Sequence, residues 1–260
     1  MNLGDYIIET TGAGLRFGYP ISEFERISFG AGYEGTDLEV GPFSPDRFQR
    51  YVNDFGNSSY AVLLNAGYSF DSRDSAIAPT RGRVTRLTAE YATPLGDQEF
   101  IRTTYQEQFY FPIGKLYTLA LNGEVTGGFG LGDSPYPIFR NVYAGGIGTV
   151  RGYRSSTLGP RDADNVPIGG SKRVIANAEF FFPIPGMSKD RTFRAFTFFD
   201  AGNVFQTNEK IKFGELRYST GVGISWLSPV GPLKFSLGVP LNREPQDETQ
   251  RVQFTIGTGF

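Results

Sequence analysis

The chain has 260 residues, a formal charge of −2, no cysteine and no histidine. These counts exclude disulfide bridges, leave no basic footprint for nucleic acid, and remove the usual general base and the commonest neutral metal ligand. Hydrophobic residues make up only 39% and no run offers the roughly 18 apolar residues of a spanning helix, yet aromatics reach 15%, with 24 Phe and 34 Gly. Such a mixture fits a β-barrel, whose strands conceal their apolar content behind alternation.

Read from the N-terminus, Met1-Asn2-Leu3-Gly4-Asp5 has neither a charged n-region nor an apolar h-region. For an exported protein this suggests a mature form, or a fragment that starts inside a longer chain. Period-two alternation then predicts strands near residues 8–19, 22–34, 58–70, 82–93, 98–111, 116–129, 173–182, 192–205, 215–227, 232–240 and 251–260. Tyr117, Leu119, Leu121 and Val125, for example, alternate with Thr118, Asn122, Glu124 and Thr126, and Val252, Phe254 and Ile256 with Gln253, Thr255 and Gly257. About eleven such segments result, each near the roughly 9–11 residues that a tilted strand needs to cross a bilayer.

Alternation alone does not choose between a soluble sandwich and a barrel. Two features favour the barrel. Long charged groups sit at mid-strand on the polar face (Arg86, Glu90, Arg102, Glu124, Glu179, Arg194), which suits a wet lumen with lipid outside. If connections alternate between the two ends, Tyr19, Phe70, Phe111, Tyr117, Phe182, Phe193, Trp226 and Phe260 fall at one level, as an interfacial girdle would. Glu107 disagrees: it lies on the apolar face, and is expected off-register or near an interface. Connections at the girdle end are mostly short, whereas Gly35–Asn57 and Gly130–Gly170 at the other end are long. The fold class expected is therefore all-β: the transmembrane antiparallel β-barrel, with about eleven strands.

The segment 130–172 contains Tyr143-Ala144-Gly145-Gly146-Ile147-Gly148-Thr149-Val150-Arg151-Gly152-Tyr153. Elsewhere stand Asp71-Ser72-Arg73-Asp74 with Pro79-Thr80-Arg81-Gly82, then Phe198-Phe199-Asp200-Ala201-Gly202-Asn203-Val204, Leu227-Ser228-Pro229-Val230-Gly231-Pro232-Leu233, and the terminal Phe260. In this order they resemble the BamA family of outer-membrane assembly factors, whose sixth extracellular loop bears a VRG-aromatic motif. Physical reasoning points the same way: a Gly-rich polar loop can fold back into a wide lumen, where Arg151 would seek carboxylates. Glu179 and Asp200 are available by parity on the lumen face, Asp200 beside Phe198, and the resemblance implies that these acids hold the motif's Arg.

The resemblance further implies assembly and insertion of β-barrel proteins into the outer membrane of a Gram-negative bacterium. The resemblance implies action through a lateral seam between the first and last strands, the last one here carrying Gly257, Gly259 and Phe260. Its partners would be the lipid bilayer, nascent β-barrel clients, and accessory lipoproteins reached through POTRA domains. The family barrel has sixteen strands behind those domains, so this chain would be its C-terminal portion, starting near the sixth strand. Its two open edges could dimerise or pair with another chain. A two-partner-secretion translocator pore and a general porin remain as alternatives.

No catalysis, cofactor, metal or nucleic acid is expected. Gly146-x-Gly148 with Gly152 does not make a dinucleotide fingerprint, and no phosphate-binding Lys-Ser/Thr follows. Gly132-Asp133-Ser134 cannot complete a triad without histidine. Asp162-Ala163-Asp164-Asn165 lacks the glycine and distal glutamate of a calcium loop and reads as solvated acids. Asp71 and Asp74, beside Arg73 and Arg81, read as a structural ion-pair turn.

Overall fold

The computed structural model describes residues 6–42, 44–184, 186, 192–229 and 231–257. Eleven strands form one antiparallel meander: β1 (Tyr6–Pro20), β2 (Glu25–Val40), β3 (Ser58–Asp71), β4 (Gly82–Thr93), β5 (Phe100–Ile113), β6 (Tyr117–Gly130), β8 (Lys172–Pro183), β9 (Phe193–Phe205), β10 (Arg217–Ser228), β11 (Gly231–Pro240) and β13 (Val252–Ile256). The loop after β6 contributes β7 (Gly152–Tyr153), which pairs with β12 (Thr249–Gln250) as a separate ribbon. Each main strand pairs with its neighbour in sequence, and β1 and β13 are the edges of the sheet.

The two faces divide as the alternation requires. Large apolar residues point out from the convex side, with Leu15, Phe29, Leu64, Leu87, Val125, Val222, Phe235 and Phe254 all exposed. The concave side is polar and covered: Asn122, Asn177, Glu179, Arg194, Asp200 and Ser219 are buried. A soluble sheet does the reverse. Lipid is the solvent that makes an apolar outer wall favourable, and the polar wall then encloses water and loop.

Aromatic side chains gather at the short-turn end. Phe193 pairs with Trp226 across β9 and β10, with ring centroids 6.4 Å apart, and Tyr117 stacks on Phe180 at 5.8 Å. Phe260 lies outside the described residues. Glu107 is on the outer face, paired with Thr85 three residues into β4, so it sits near that interface rather than at the midplane.

Two expectations need correction. The strand expected over 22–34 runs on to Val40, because Thr36, Leu38 and Val40 continue to alternate with exposed Asp37 and Glu39. The segment expected as an open connection up to Asn57 folds helix α1 (Asp46–Phe55). Pro45 precedes it, Asp46 favours the positive end of its dipole, and Gly56, at φ 84°, ends it. Phe48, Tyr51, Val52 and Phe55 share one helical stripe, and Phe48 packs on Leu38 and Ile138 in a cluster that Tyr51 and Val52 flank.

The last strand, expected over 251–260, is present from Val252 to Ile256, and residues 258–260 lie outside the described residues. Gly257 follows at φ 123°, a conformation outside extended backbone, and its N–H donates to Pro232 O at 2.8 Å. Gly257 thus keeps its contact with β11 while its backbone leaves the extended conformation. Gly259 lies outside the described residues.

Candidate functional site

The polar wall and the long loop meet at Arg151, which is 2% exposed. Gly145 and Gly146, at φ 101° and 95°, turn the chain, the Gly145 N–H donates to Thr149 Oγ1 at 2.9 Å, and the segment after them descends into the lumen. Val150 and Tyr153 are wholly buried in an apolar cluster with Ala144, Leu158, Ile175 and Val204. These contacts fix the backbone on either side of Arg151, so its guanidinium arrives aimed at the wall.

Asp200 on β9 receives the fork. Arg151 Nε and Nη2 donate to its two oxygens at 2.7 Å each, and the Arg151 backbone N–H adds a third bond at 3.0 Å. Glu179 on β8 accepts from Arg151 Nη1 at 2.5 Å. The guanidinium plane lies over the Phe198 ring, 3.7 Å from its centroid. Burial alone would favour a neutral guanidine; the charges of Glu179 and Asp200, with their hydrogen bonds, outweigh it and hold the proton.

Two more residues complete the junction, and neither was singled out from the sequence. Lys234 on β11, half-buried, donates to Glu179 Oε2 at 3.0 Å, so two cations, Arg151 and Lys234, face the two buried carboxylates. Asn177 donates to Asp200 Oδ1 at 2.9 Å and to the Thr149 carbonyl at 2.6 Å. Behind it runs a ladder of donors: Arg86 to Gln106 (3.2 Å), Gln106 to Asn122 (3.0 Å), and Asn122 to Asn177 (2.9 Å). Parity places all of these on the lumen face; only the register shows that they chain toward Asp200.

Beyond Arg151 the loop attaches to the last strands. Gly152 has φ 85°, and a Cβ there would lie 3.1 Å from Gly238 C and 3.2 Å from Pro240 Cδ. Only a glycine gives both the dihedral and the clearance. Tyr153 pairs with Thr249 through the ribbon, its hydroxyl reaches the Tyr218 carbonyl at 3.3 Å, and its own carbonyl accepts from Gln253 Nε2 of β13 at 2.7 Å. Burial pushes the Tyr153 phenol up to about 12. Further anchors hold the loop's flanks: Arg173 on β8 bonds Glu124 and the Tyr143 carbonyl, and Arg140 pairs with Glu34 of β2.

The remaining acidic motifs are structural. Arg73 forks Asp71, through Nε at 2.9 Å and Nη2 at 2.6 Å. Asp74 caps the same turn, accepting from the N–H of Thr80 at 2.8 Å and of Arg81 at 3.2 Å. Arg81 thus enters through its backbone and not, as expected, through an ion pair with the turn's acids. Asp162 accepts from the N–H groups of Asp164 and Val166, so it is the hub of a local turn rather than a freely solvated acid. Among the described residues no group of three or more acids could hold a metal ion.

A meander with an apolar outer wall, a polar lumen and a loop ion-paired inside it defines the wall of a transmembrane antiparallel β-barrel. Residues 2–260 match the Omp85 superfamily domain, and the chain belongs to that superfamily. It is 35% identical, over its whole length, to the outer membrane protein assembly factor BamA of Neisseria meningitidis serogroup B, covering 37% of that protein. It is 26% identical to the human sorting and assembly machinery component 50 homolog, with 96% of this chain matching 55% of that one. In solved structures, 96% of the chain superposes on 54% of BamA from Haemophilus ducreyi lacking POTRA domains 1–3, with a TM-score of 0.88 at 24% identity. The chain therefore spans about a third to a half of these relatives.

Proposed function

We propose that this chain is part of the membrane domain of a factor that assembles β-barrel proteins and inserts them into the bacterial outer membrane. The observation that carries the reading is the double attachment of the loop. Arg151 ties it to β8 and β9, and the next two residues tie it to the terminal strands, so the loop bridges the inner wall and the strand edge. An unpaired edge, at β1 or β13, offers backbone groups to an incoming strand, the chemistry of β-augmentation.

Support also comes from the bacterial relative named as an outer membrane protein assembly factor and the human one named as a component of a sorting and assembly machinery. On this reading residues 1–260 supply the C-terminal strands of a larger barrel, and POTRA domains elsewhere recruit accessory lipoproteins. Its partners are then the outer-membrane bilayer and nascent barrel proteins, and its work is templating and insertion without catalysis of bond chemistry. Val150, Arg151, Gly152 and Tyr153 lock the loop, Glu179, Phe198 and Asp200 receive it, and the segment from Gly257 through Gly259 to Phe260 belongs to the moving edge.

The test is insertion of a denatured barrel client into liposomes that carry the intact protein, followed by heat-modifiable mobility on a semi-native gel. Wild type should accelerate client folding over empty liposomes, and Arg151→Ala should do so less at a temperature where it remains folded itself. A wild type no faster than empty liposomes would reject assembly; a steady conductance indifferent to Arg151→Ala would favour a pore.

A further inference from the structure

Charged side chains facing lipid are costly, and this wall carries an unusual pair. Arg83 and Glu107 both project from the outer face near the short-turn end, on adjacent strands β4 and β5. Arg83 lies over the Phe70 ring, 4.6 Å from its centroid, and among the described residues its guanidinium makes no ion pair or hydrogen bond. Glu107 Oε2 accepts from the Tyr105 hydroxyl at 2.9 Å, whereas Oε1 is shielded from solvent and has no hydrogen-bond partner. No ion pair joins the two, although Thr85, the partner of Glu107 in the ladder, is only two residues from Arg83.

We infer that Arg83 and Glu107 form a headgroup site for a phospholipid that carries both a phosphate and a primary ammonium. The inference rests on the outward apolar wall and not on the assembly reading. An arginine fork suits a phosphate, and a lone carboxylate oxygen suits an ammonium with N–H donors. In an ethanolamine headgroup the two charges are two carbons apart on one flexible link, so one molecule satisfies both groups. Space exists beside it: Gly123 stands opposite Glu107 on β6, and a Cβ there would meet nothing within 4 Å, so a rotation of the Glu107 side chain turns the shielded Oε1 toward the headgroup. The neighbouring carboxylate of Glu25 is already occupied by the hydroxyls of Tyr68 and Ser22, at 2.8 and 3.0 Å. Glu107 is therefore the acid left to receive the ammonium. The surrounding girdle sets the patch at the depth where headgroups lie.

The experiment is native mass spectrometry of the intact protein released from detergent micelles containing equal amounts of phosphatidylethanolamine, phosphatidylglycerol and phosphatidylcholine. Wild type should retain phosphatidylethanolamine over both others, since glycerol brings no cation and the choline nitrogen has no N–H. Glu107→Gln should reduce that preference by roughly tenfold, the scale of one hydrogen bond to a charged group. Arg83→Gln should lower retention of ethanolamine and glycerol lipids alike, and Leu237→Ala, on the outer face of β11, should change nothing. Equal retention of the three lipids by wild type overturns the inference without any variant having to fold. So does a preference for phosphatidylglycerol, which marks an anion site only, or a Glu107→Gln protein, folded by gel mobility, that keeps the wild-type preference.

Discussion

Strands β1 and β9 have the same kind of sequence and opposite surroundings. Both alternate apolar with polar or small residues, yet every residue of β1 is exposed, while β9 is buried from Asp200 to Phe205. The difference is in what lies over the concave face. Along β8 to β11 the loop fills the lumen, bringing Arg151 onto Asp200 and Val150 against Ile175 and Val204. Along β1 to β5 the wall faces an open hollow of about 620 Å³, lined in part by Gly12, Gly14, Gly30, Gly32, Asn65 and Glu90. A strand's pattern assigns its faces; the filling of the barrel decides which faces are held. The terminal half is braced by the Arg151 cluster, and the opening half by its backbone ladder, by α1, whose Phe48 stacks on Tyr6 at 4.2 Å, and by the loop's Tyr136 and Arg140, which reach Phe100 and Glu34.

That contrast can be broken most strongly at Arg151. Arg151→Ala leaves Glu179 and Asp200 buried with one cation between them, and removing a partner from such a cluster costs about 3–5 kcal/mol. The barrel band on a semi-native gel should be lost at a markedly lower temperature. Arg151→Lys should recover little, because an ammonium cannot fork Asp200 while reaching Glu179. Lys234→Met comes next. Glu179 keeps Arg151, so the loss is that of a hydrogen bond to a charged group, about 1.5–3 kcal/mol, read as a smaller shift on the same gel. A Gly152→Ala protein should lose about 1–3 kcal/mol from its φ alone, with the ribbon to Thr249 and Gln250 loosened. Faster amide exchange at Gln250 and Gln253, with β1 unchanged, would locate the damage.

The smallest effect lies outside the contrast, at the turn before β4. Burial pushes the Asp74 carboxyl up, but the Thr80 hydroxyl and the N–H groups of Thr80 and Arg81 outweigh it and hold it below the usual carboxylate range. A depressed folded value contributes stability above the unfolded carboxylate pKa, and that contribution is lost as pH falls through the folded one. Asp74→Asn should therefore flatten the acid limb of the stability profile slightly, the site being exposed and screened. A variant that leaves the acid limb unaltered would show that the turn contributes nothing there.

The strands were legible because period two is a local property: each residue's face follows from its neighbours in the chain. Glu179 and Asp200 could be selected because each carries a charge at a position of known strand parity, and Arg151 because it stands in the loop motif that carries the family resemblance. Lys234 has the same parity, but nothing local says that it lies across the lumen from Glu179, 55 residues away. Helix α1 was missed although its Phe48, Tyr51, Val52 and Phe55 carry a helical period, because the segment was read only as a connection between strands.

Alternation, together with the mid-strand charges of the polar face and the common level of the aromatics, determined that the chain is a barrel wall with its apolar side outward. Charges such as Glu179 and Arg194 suit a wet lumen, and the apolar side then faces lipid. Which lumen groups meet was decided only in three dimensions. Strand register and the descent of the loop set those contacts, and both depend on residues far apart in the sequence. The uneven filling of the lumen follows from the same cause: the loop seats Arg151 where two carboxylates converge, and touches the opposite wall through Tyr136, Ile138 and Arg140.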